Sequence, residues 1–230
     1  MTKLYPSLAD ILSGLIGLTE LKIVIDVGAN TGQTIEQILQ LNENVTIHSF
    51  EPTPELFGML LSKYTSNQNL KILNVALGNQ EDNINFFISD YSPTNSILEP
   101  NVELYKGLGH TLSDTLSHSK KLVVKQITFD NYYKTNLNDK IIDIFKTDTQ
   151  GYDFFVLQGA EQTLEHIKMI VVELQFLEFY KNSPNFSKII NYLYQHGFYL
   201  YSIYDINKVK VNQWIECNAL FLNKNYFPIK

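Results

Sequence analysis

The stretch that most constrains the fold is Ile23–Thr34, with the sequence IVIDVGANTGQT. Its first half is a run of β-branched residues, which predicts a strand buried on both faces that ends at Asp26 and Gly28. Apolar residues then recur at helical spacing between Ile35 and Leu39, so a helix follows the turn. A strand, a tight glycine turn and a helix N-terminus bring several backbone N–H groups to one point. The segment therefore predicts a cradle for a nucleotide-like ligand.

A second apolar run strengthens this prediction. Val45–Phe50 ends in Glu51, about 20 residues after Gly32. In a parallel sheet this acid lies at the tip of the neighbouring strand, where it can accept hydrogen bonds from two ribose hydroxyls. The glycine turn and the acid together are a stronger signal than either alone.

The turn also discriminates between cofactors. A dinucleotide site prefers G-x-G-x-x-G, whose middle glycine lets the backbone approach a pyrophosphate. Here Asn30 takes that position, and Asp26 lies just before the first glycine. A carboxylate there repels a diphosphate and attracts an ammonium or a sulfonium. Because S-adenosylmethionine carries both cations and an adenosine, we predict it as the cofactor in preference to NAD.

Length and charge narrow the class of partner. The chain has 230 residues, which predicts one domain over residues 1–230. Its net charge of −6 is not typical of a nucleic-acid binder, and all 18 basic residues are lysines. Without arginine the chain has no bidentate clamp for phosphate, which disfavours a phosphorylated or polyanionic substrate.

Three further features predict a cytoplasmic protein. The single Cys217 excludes an internal disulfide, and no apolar stretch is long enough to span a bilayer. Nothing at the N-terminus is typical of a signal peptide, because Ser7 and Asp10 instead predict the start of an amphipathic helix that ends near Gly17. We expect this helix, within residues 1–20, to cover the sheet rather than the edge of the cofactor.

The next helix and strand follow directly after Glu51. Thr53-Pro54-Glu55 predicts a helix start with a capping hydroxyl, and Leu70–Ala76 predicts the third strand. Asn74, near the end of that strand, could meet an adenine edge through its side-chain amide. A strand that simply ends in a turn is the equally open alternative.

Residues 83–127 predict an insertion that shapes the acceptor site. The segment Ile84–Ile88 alternates apolar and polar residues, which indicates an antiparallel strand with one wet face, and Leu122–Ile127 is its expected partner. Residues 90–121 have no sustained period, which favours a functional or mobile segment. His110 and His118 lie there, and we expect both to be solvent-exposed rather than catalytic.

The second chemical segment is Ile141–Asp153, which repeats the order of buried strand, polar tip, glycine and helix. Lys146 and Asp148 are two residues apart, so their side chains lie on the same face, either as site residues or as a structural ion pair. The apolar run Met169–Val172 ends in Glu173. Four strand tips would thus carry acids along one rim of the sheet, where α/β proteins bind ligands: Asp26, Glu51, Asp148 and Glu173.

The C-terminal part completes the sheet. Phe186–Tyr194 is strongly periodic and predicts a helix that stops at Gly197. Residues 198–204 and 218–222 predict the two closing strands. The aromatic stretch Phe176–Tyr180 is expected to help shape the acceptor pocket, although its rings suit a core equally well.

The ordered set of motifs resembles the FkbM family of S-adenosylmethionine-dependent methyltransferases over roughly residues 24–200. The segments that carry the resemblance are Ile25–Gly32, Ser49–Pro52, Asn74–Gly78, Asn95-Ser96, Lys146–Asp153, Leu157–Ala160 and Val172-Glu173. The resemblance implies a Rossmann-like α/β fold with a seven-stranded, mostly parallel sheet whose last strand is antiparallel. It also implies methylation of a hydroxyl oxygen on a sugar, glycolipid or polyketide-type molecule. Asp153 departs from the family, which usually has glutamate there.

From the residues and the resemblance together we predict a set of site residues. Asp148 is expected nearest the methyl donor, with Glu173 and Lys146 facing the acceptor. No spacing of ligands demands a metal. The predicted cofactor-binding residues are Asp26, Gly28, Asn30, Thr31, Gly32, Glu51, Asn74, Ala76 and Asp148.

The leading hypothesis is an O-methyltransferase of a small molecule or carbohydrate. In-line methyl transfer needs alignment and a dry pocket, and a nearby carboxylate or histidine can take the hydroxyl proton. Two alternatives remain open: an NAD-linked oxidoreductase, and a module that binds S-adenosylmethionine without turnover.

Overall fold

The computed structural model describes residues 7–16, 20–108, 116, 119–208 and 213–229. The helices are α1 (Leu8–Leu15), α2 (Gln33–Leu41), α3 (Pro54–Lys63), α4 (Val102–Gly107), α5 (Phe129–Asn136), α6 (Asp153–Gln158) and α7 (Phe186–Gln195). The strands are β1 (Ile23–Val27), β2 (Thr46–Phe50), β3 (Leu70–Leu73), β4 (Ala76–Leu77), β5 (Asp82–Ile88), β6 (Lys120–Ile127), β7 (Ile142–Thr147), β8 (Ile167–Gln175), β9 (Phe198–Lys208) and β10 (Trp214–Asn223).

The main sheet has seven strands in the order β3-β2-β1-β7-β8-β10-β9. Its strands run parallel except β10, the last in the chain, which is antiparallel to both β8 and β9. The central strand β1 is buried on both faces because helices cover both sides of the sheet, as its β-branched run predicted. The predicted α/β architecture with an antiparallel last strand is therefore confirmed.

A second, three-stranded sheet has the order β4-β6-β5. β5 and β6 pair antiparallel from Asp82 opposite Gln126 to Ile88 opposite Lys120, which confirms the predicted inserted pair. The third strand differs from its prediction, because the run Leu70–Ala76 divides into β3 and β4. Asn74 lies at the break, where its amide donates to backbone carbonyls of the neighbouring loop instead of continuing the strand.

The helix starts were predicted with mixed success. Ser7 caps α1 in a reciprocal capping box with Asp10, as expected, whereas the predicted end at Gly17 lies outside the described residues. The capping hydroxyl predicted for Thr53 is wrong, because its side chain makes no cap hydrogen bond. The Thr53 N–H instead donates to Glu51 Oε1 at 2.8 Å. An acid at the end of the preceding strand therefore accepts the backbone N–H at the start of α3.

The two closing strands are longer than the predicted residues 198–204 and 218–222. β9 and β10 pair with several register shifts, and such bulges interrupt the alternation of apolar and polar residues from which strand ends are read. β8 likewise continues past Glu173 to Gln175. The extra length of β8, β9 and β10 extends the wall beyond the carboxyl edge of the sheet.

None of the helices in the described part of the chain is long and apolar enough to cross a membrane.

The small sheet packs closely against the end of α6 at two glycines. A Cβ added to Gly159, which follows α6, would lie 1.9 Å from the carbonyl oxygen of Gly78, next to β4. The Gly159 carbonyl also accepts the Asp130 N–H at the start of α5. The docking of the small sheet therefore depends on a position without a side chain.

We expect Gly159→Ala to lower the free energy of unfolding by about 2 kcal/mol or more, because the new methyl group collides with backbone that cannot rotate away. Gly58→Ala is the matched control, since Gly58 lies inside α3 with nothing within 4 Å of the added Cβ. That variant should gain up to about 1 kcal/mol from helix propensity. Urea unfolding measures both, and equal stability of the two variants would contradict the close contact.

Candidate functional site

The carboxyl edge of the main sheet opens into a cavity of about 490 Å³, within the range of about 300–1,000 Å³ that small-molecule sites occupy. Three of the four predicted rim acids line it: Glu51, Asp148 and Glu173. The fourth, Asp26, is fully buried in β1, in register with Ser49 on one side and Lys146 on the other. The structure thus brings the predicted acidic tips to one edge.

Gly28 begins the turn after β1 with a φ of +85°. A Cβ at this position would lie 2.1 Å from the carbonyl oxygen of Asp148, at the end of β7. Only glycine satisfies both the left-handed backbone and this close approach. The turn can therefore pack directly against the second chemical segment, and Gly28, Ala29 and Asn30 line the cavity.

The amides of this turn do not form the open cradle that the sequence predicted. The N–H groups of Gly28 and Ala29 both donate to the Phe50 carbonyl, at 3.0 and 3.1 Å, and the Asn30 N–H donates to Glu51 Oε2 at 2.8 Å. These three donors are satisfied inside the protein. The turn is therefore poorly suited to a pyrophosphate, which needs such N–H groups. Thr31 and Gly32, predicted to bind cofactor, lie outside the cavity wall.

Glu51 connects two turns of the protein through its carboxylate. One carboxylate oxygen accepts the N–H of Asn30 and the other that of Thr53, both at 2.8 Å. Burial raises the pKa of Glu51, although these two backbone hydrogen bonds oppose the shift. Asn74 lies outside the cavity wall and donates its amide to the carbonyls of Glu51 and Pro52, so it supports this loop. Ala76, also predicted to bind cofactor, lines the cavity.

A chain of polar contacts crosses from β7 to β8. Lys146 Nζ lies 3.1 Å from Asp148 Oδ2, and the amide nitrogen of Gln150 donates to Asp148 Oδ1 and to Glu173 Oε2, both at 3.1 Å. The amide nitrogen of Gln175 donates to the same Glu173 oxygen at 2.9 Å. Lys146 and Asp148 therefore form an ion pair that also lines the cavity.

These groups differ in how their charges are compensated. Burial raises the pKa of Asp26, and Lys146 offsets only part of that shift. Burial alone would lower the pKa of Lys146, but Asp148 and Asp26 outweigh it and raise that pKa. Burial would raise the pKa of Asp148, but Lys146 outweighs it and lowers that pKa. Burial, then Asp148 and Glu216, raise the pKa of Glu173 well above the usual glutamate value.

Asp153, where the chain departs from the family resemblance, lies behind the site. Its Oδ1 accepts the Thr147 hydroxyl at 2.7 Å and the Thr149 N–H at 3.1 Å. Burial, followed by the charge of Asp148, raises its pKa to about 6. The shorter side chain is thus used to close the turn that carries Asp148.

The inserted segment covers the cavity from above. Ser92 Oγ donates to Asn30 Oδ1 at 3.0 Å, and Ser96 Oγ donates to the Gln150 carbonyl at 2.8 Å. The insertion thus contacts both glycine turns, and its role in shaping an acceptor site stays a prediction. Phe179 and Tyr105 meet at 5.0 Å between ring centroids and line the same side. Residues 109–115 and 117–118, with the two predicted exposed histidines, lie outside the described residues.

Sequence reasoning missed two parts of the site. Gln150 belongs to the Lys146–Asp153 motif, but its contact with Glu173 left no signal in the sequence because the two residues are 23 positions apart and meet only in the fold. The wall from the closing strands gave no signal, because strands distant in sequence approach this edge only through the fold. Its residues are Tyr204, Asp205, Ile215, Glu216 and Asn218. Among the described residues no group of three His, Cys, Asp or Glu side chains is arranged to hold a metal, and metal independence stays a prediction.

Comparison with known proteins relates this geometry to a family. The family model Methyltransferase FkbM domain matches residues 26–200, more than half of the chain. The 2-O-methyltransferase NoeI of Sinorhizobium fredii (strain NBRC 101917 / NGR234) is 21% identical over 178 residues, covering 74% of this chain and 70% of that protein.

Two solved structures share the fold. The fibrillarin pre-rRNA processing protein of Methanococcus jannaschii has a TM-score of 0.50 at 10% identity, covering 90% of this chain and 68% of that one. The magnesium protoporphyrin IX methyltransferase ChlM of Synechocystis PCC 6803, solved with bound SAM, has a TM-score of 0.50 at 8% identity, covering 94% and 76%. At such low identity the likeness concerns the fold alone.

The raised pKa of Glu173 leads to a stability prediction. A carboxyl group whose pKa is higher in the folded protein than in the unfolded chain destabilises the fold once it ionises. We expect Glu173→Gln to raise the free energy of unfolding by about 1 kcal/mol or more at pH 7. The gain should be absent well below pH 4.5, the ordinary glutamate value, should grow as the pH rises from there to the folded pKa, and should be constant above it.

Urea unfolding at several pH values measures this gain. Glu103→Gln is the control, because that side chain on α4 is 84% exposed and should show no comparable gain. A Glu173→Gln protein that is less stable than wild type at every pH would contradict the assigned electrostatics.

Proposed function

The chain belongs to the FkbM methyltransferase family, and from this premise we propose that it is an S-adenosylmethionine-dependent O-methyltransferase of a small molecule or saccharide. S-adenosylmethionine is the cofactor of the family. The observation that supports the finer assignment is a glutamate at the cavity wall, Glu173, with one oxygen fixed by two amides and the other without a protein partner among the described residues.

The residues at the carboxyl edge fit this cofactor. Asp26 is fully buried beside the cavity-lining Val27, and its Oδ1 has no hydrogen-bond partner in the described part of the chain, so its charge is only partly compensated, by Lys146. Its charge suits a ligand that carries positive charge. The satisfied amides of the glycine turn disfavour a diphosphate, and this argues against the NAD-linked alternative.

Each part of the cavity wall has a distinct binding role in this proposal. Glu51 would accept ribose hydroxyls with the lone pairs that Asn30 and Thr53 leave, and Asp26 would balance positive charge from below. Ala76 and Leu77, at the start of the small sheet, offer an apolar surface beside them. When bound, the cofactor supplies a methyl group activated by a positively charged sulfur.

Proton removal is assigned to Glu173. An acceptor hydroxyl must lose its proton as its oxygen gains the methyl group, and the ideal base has a pKa near the working pH. The raised pKa of Glu173 moves it in that direction, and its Oε1 is the oxygen available to take the proton. Asp148, kept ionised by Lys146, is assigned to hold and orient the reactants beside it.

The acceptor is proposed to be uncharged, as a sugar hydroxyl is. The charged residues that line the cavity comprise five acids and one lysine in the described part of the chain: Glu51, Asp148, Glu173, Asp205, Glu216 and Lys146. This balance opposes binding of a phosphorylated or nucleic-acid acceptor. The buried rings of Tyr105 and Phe179 provide an apolar surface for one face of a sugar. The relative NoeI is named a 2-O-methyltransferase, which agrees with transfer to oxygen.

The cofactor assignment predicts the effect of a change at Glu51. We expect Glu51→Gln to weaken binding of S-adenosylhomocysteine at least about tenfold, because the amide loses charge and places a donor against the N–H groups of Asn30 and Thr53. Glu55→Gln, an exposed change four residues on in α3, is the control and should bind like wild type. Isothermal titration calorimetry measures both, and unchanged affinity in Glu51→Gln would remove the assignment.

The catalytic assignment predicts a separation of binding from transfer. With methyl-labelled S-adenosylmethionine and a panel of neutral saccharides, the wild-type protein should label at least one acceptor. Glu173→Gln should lower that transfer about 100-fold or more, with the affinity for S-adenosylhomocysteine unchanged. A wild-type protein that binds cofactor and labels no hydroxyl-bearing acceptor would instead support the non-catalytic binding module.

A further inference from the structure

We infer that Gln150 is a positioning residue, whose amide holds the carboxylates of Asp148 and Glu173 in fixed relation so that Glu173 presents one oxygen to the acceptor. This inference rests on the proposed function for its catalytic meaning, but the bridge itself is a property of the protein alone.

The geometry of the bridge is specific to a carboxamide. One nitrogen donates both of its hydrogens, to Asp148 Oδ1 and to Glu173 Oε2, each at 3.1 Å. A carboxylate has no hydrogen to donate, and a hydroxyl has only one. A neutral double donor therefore joins two acids without adding charge to a site where Lys146 already pairs with Asp148.

The oxygen end of this amide lies against a tyrosine, whose single hydroxyl hydrogen is shared between two carbonyl oxygens. The Tyr180 hydroxyl lies 3.0 Å from Gln150 Oε1 and 3.0 Å from the Thr94 carbonyl. Tyr180 is fully buried, so its position is set by packing. Because a rotated amide would turn its oxygen toward two carboxylates, the nitrogen stays on the side of Asp148 and Glu173.

The backbone of Gln150 is the second independent observation. Its φ is +53°, in the left-handed region, which glutamine adopts much less readily than glycine or asparagine. Ser96 Oγ, in the inserted segment, donates to the Gln150 carbonyl at 2.8 Å and holds this conformation. A strained backbone kept at a site whose side chain joins two acids indicates that the side chain is needed there.

The bridge determines the direction of the second carboxylate oxygen of Glu173, Oε1. Glu173 Oε2 accepts hydrogen bonds from Gln150 and Gln175, whereas no described residue donates to Oε1. Fixing Oε2 therefore fixes the direction of Oε1. Charged and titratable groups from the surrounding elements also act on the pKa of this glutamate, and apart from the deliberate change at Asp148 they stay the same in every variant compared: Lys146, Asp148, Asp153, Glu216, Tyr105, Tyr180 and Cys217.

The test measures the titration of Glu173 by NMR of protein labelled with ¹³C in the glutamate carboxyl groups, in the full chain without ligand. Gln150→Met keeps the volume and removes the amide, and it should raise the pKa of Glu173 by about one pH unit. Gln175→Met is the matched control, because it removes one donor to Glu173 that does not reach Asp148. Its upward shift should be smaller.

Repeating both changes in an Asp148→Asn background isolates the bridge. The larger shift of Gln150→Met should then fall to that of Gln175→Met, because the second carboxylate that the amide separates from Glu173 is gone. Equal shifts for the two variants in both backgrounds would overturn the inference.

Gln150→Asn is a second variant that tests the bridge without the risk that the protein fails to fold. Asparagine tolerates the left-handed backbone, so this variant should be at least as stable as wild type, yet its shorter side chain cannot span both acids. It should shift the Glu173 titration as Gln150→Met does, and a wild-type titration in Gln150→Asn would contradict the positioning role.

Activity completes the test with the acceptor found in the saccharide panel. In Gln150→Asn, transfer at pH 7 should fall up to about 100-fold, with its rise shifted to higher pH and the affinity for S-adenosylhomocysteine unchanged. If the Gln150 variants shift the Glu173 titration but the wild-type protein transfers no methyl group, the proposed function is contradicted and the bridge is supported. Normal transfer with unshifted titrations would remove the bridge and leave the proposed function.

Discussion

The structure depends on holding several carboxylates close together at one edge of a sheet. Carboxylates removed from water are costly unless fixed donors replace the water. Here three of the acids have their own fixed partners: backbone N–H groups for Glu51, Lys146 for Asp148, and carboxamides for Glu173. Because these donors belong to the ends of neighbouring strands, the site exists only when the sheet has its correct register. The position of every functional group is therefore a consequence of strand pairing.

The negative charges of Asp148 and Glu173 are stabilised to different extents. Lys146 keeps Asp148 ionised, whereas Glu173 is buried beside other acids and keeps its proton more readily. Environments that push the pKa values of two carboxyl groups apart are typical of sites where one group binds and the other moves a proton. Such an arrangement costs stability, and this cost is common where a protein retains function at the expense of a more stable fold.

The second, smaller sheet and the segment that follows β5 complete the cavity. The segment contacts the turn after β1 through Ser92 and the turn after β7 through Ser96. One segment therefore holds these two turns in a fixed position relative to each other. Thr94 joins the same network through Tyr180. The segment that covers the cavity and the bridge at Gln150 are thus linked by hydrogen bonds through Ser96 and Tyr180.

The sequence by itself determined the elements with local signals. Strong β-branched runs predicted β1, β7 and β8, helical spacing predicted α7, and the glycine after Asp26 together with Glu51 indicated the cofactor edge. These signals are local because burial on both faces of a strand leaves a continuous apolar run. Only the tertiary structure decided which polar groups form hydrogen bonds within the protein and are therefore not available to a ligand. The amides of the glycine turn and the side chain of Asn74 bond to segments distant in the chain, and such hydrogen bonds leave no pattern in the sequence. For the same reason the bridge at Gln150 and the wall from β9 and β10 emerge only when the strands are side by side.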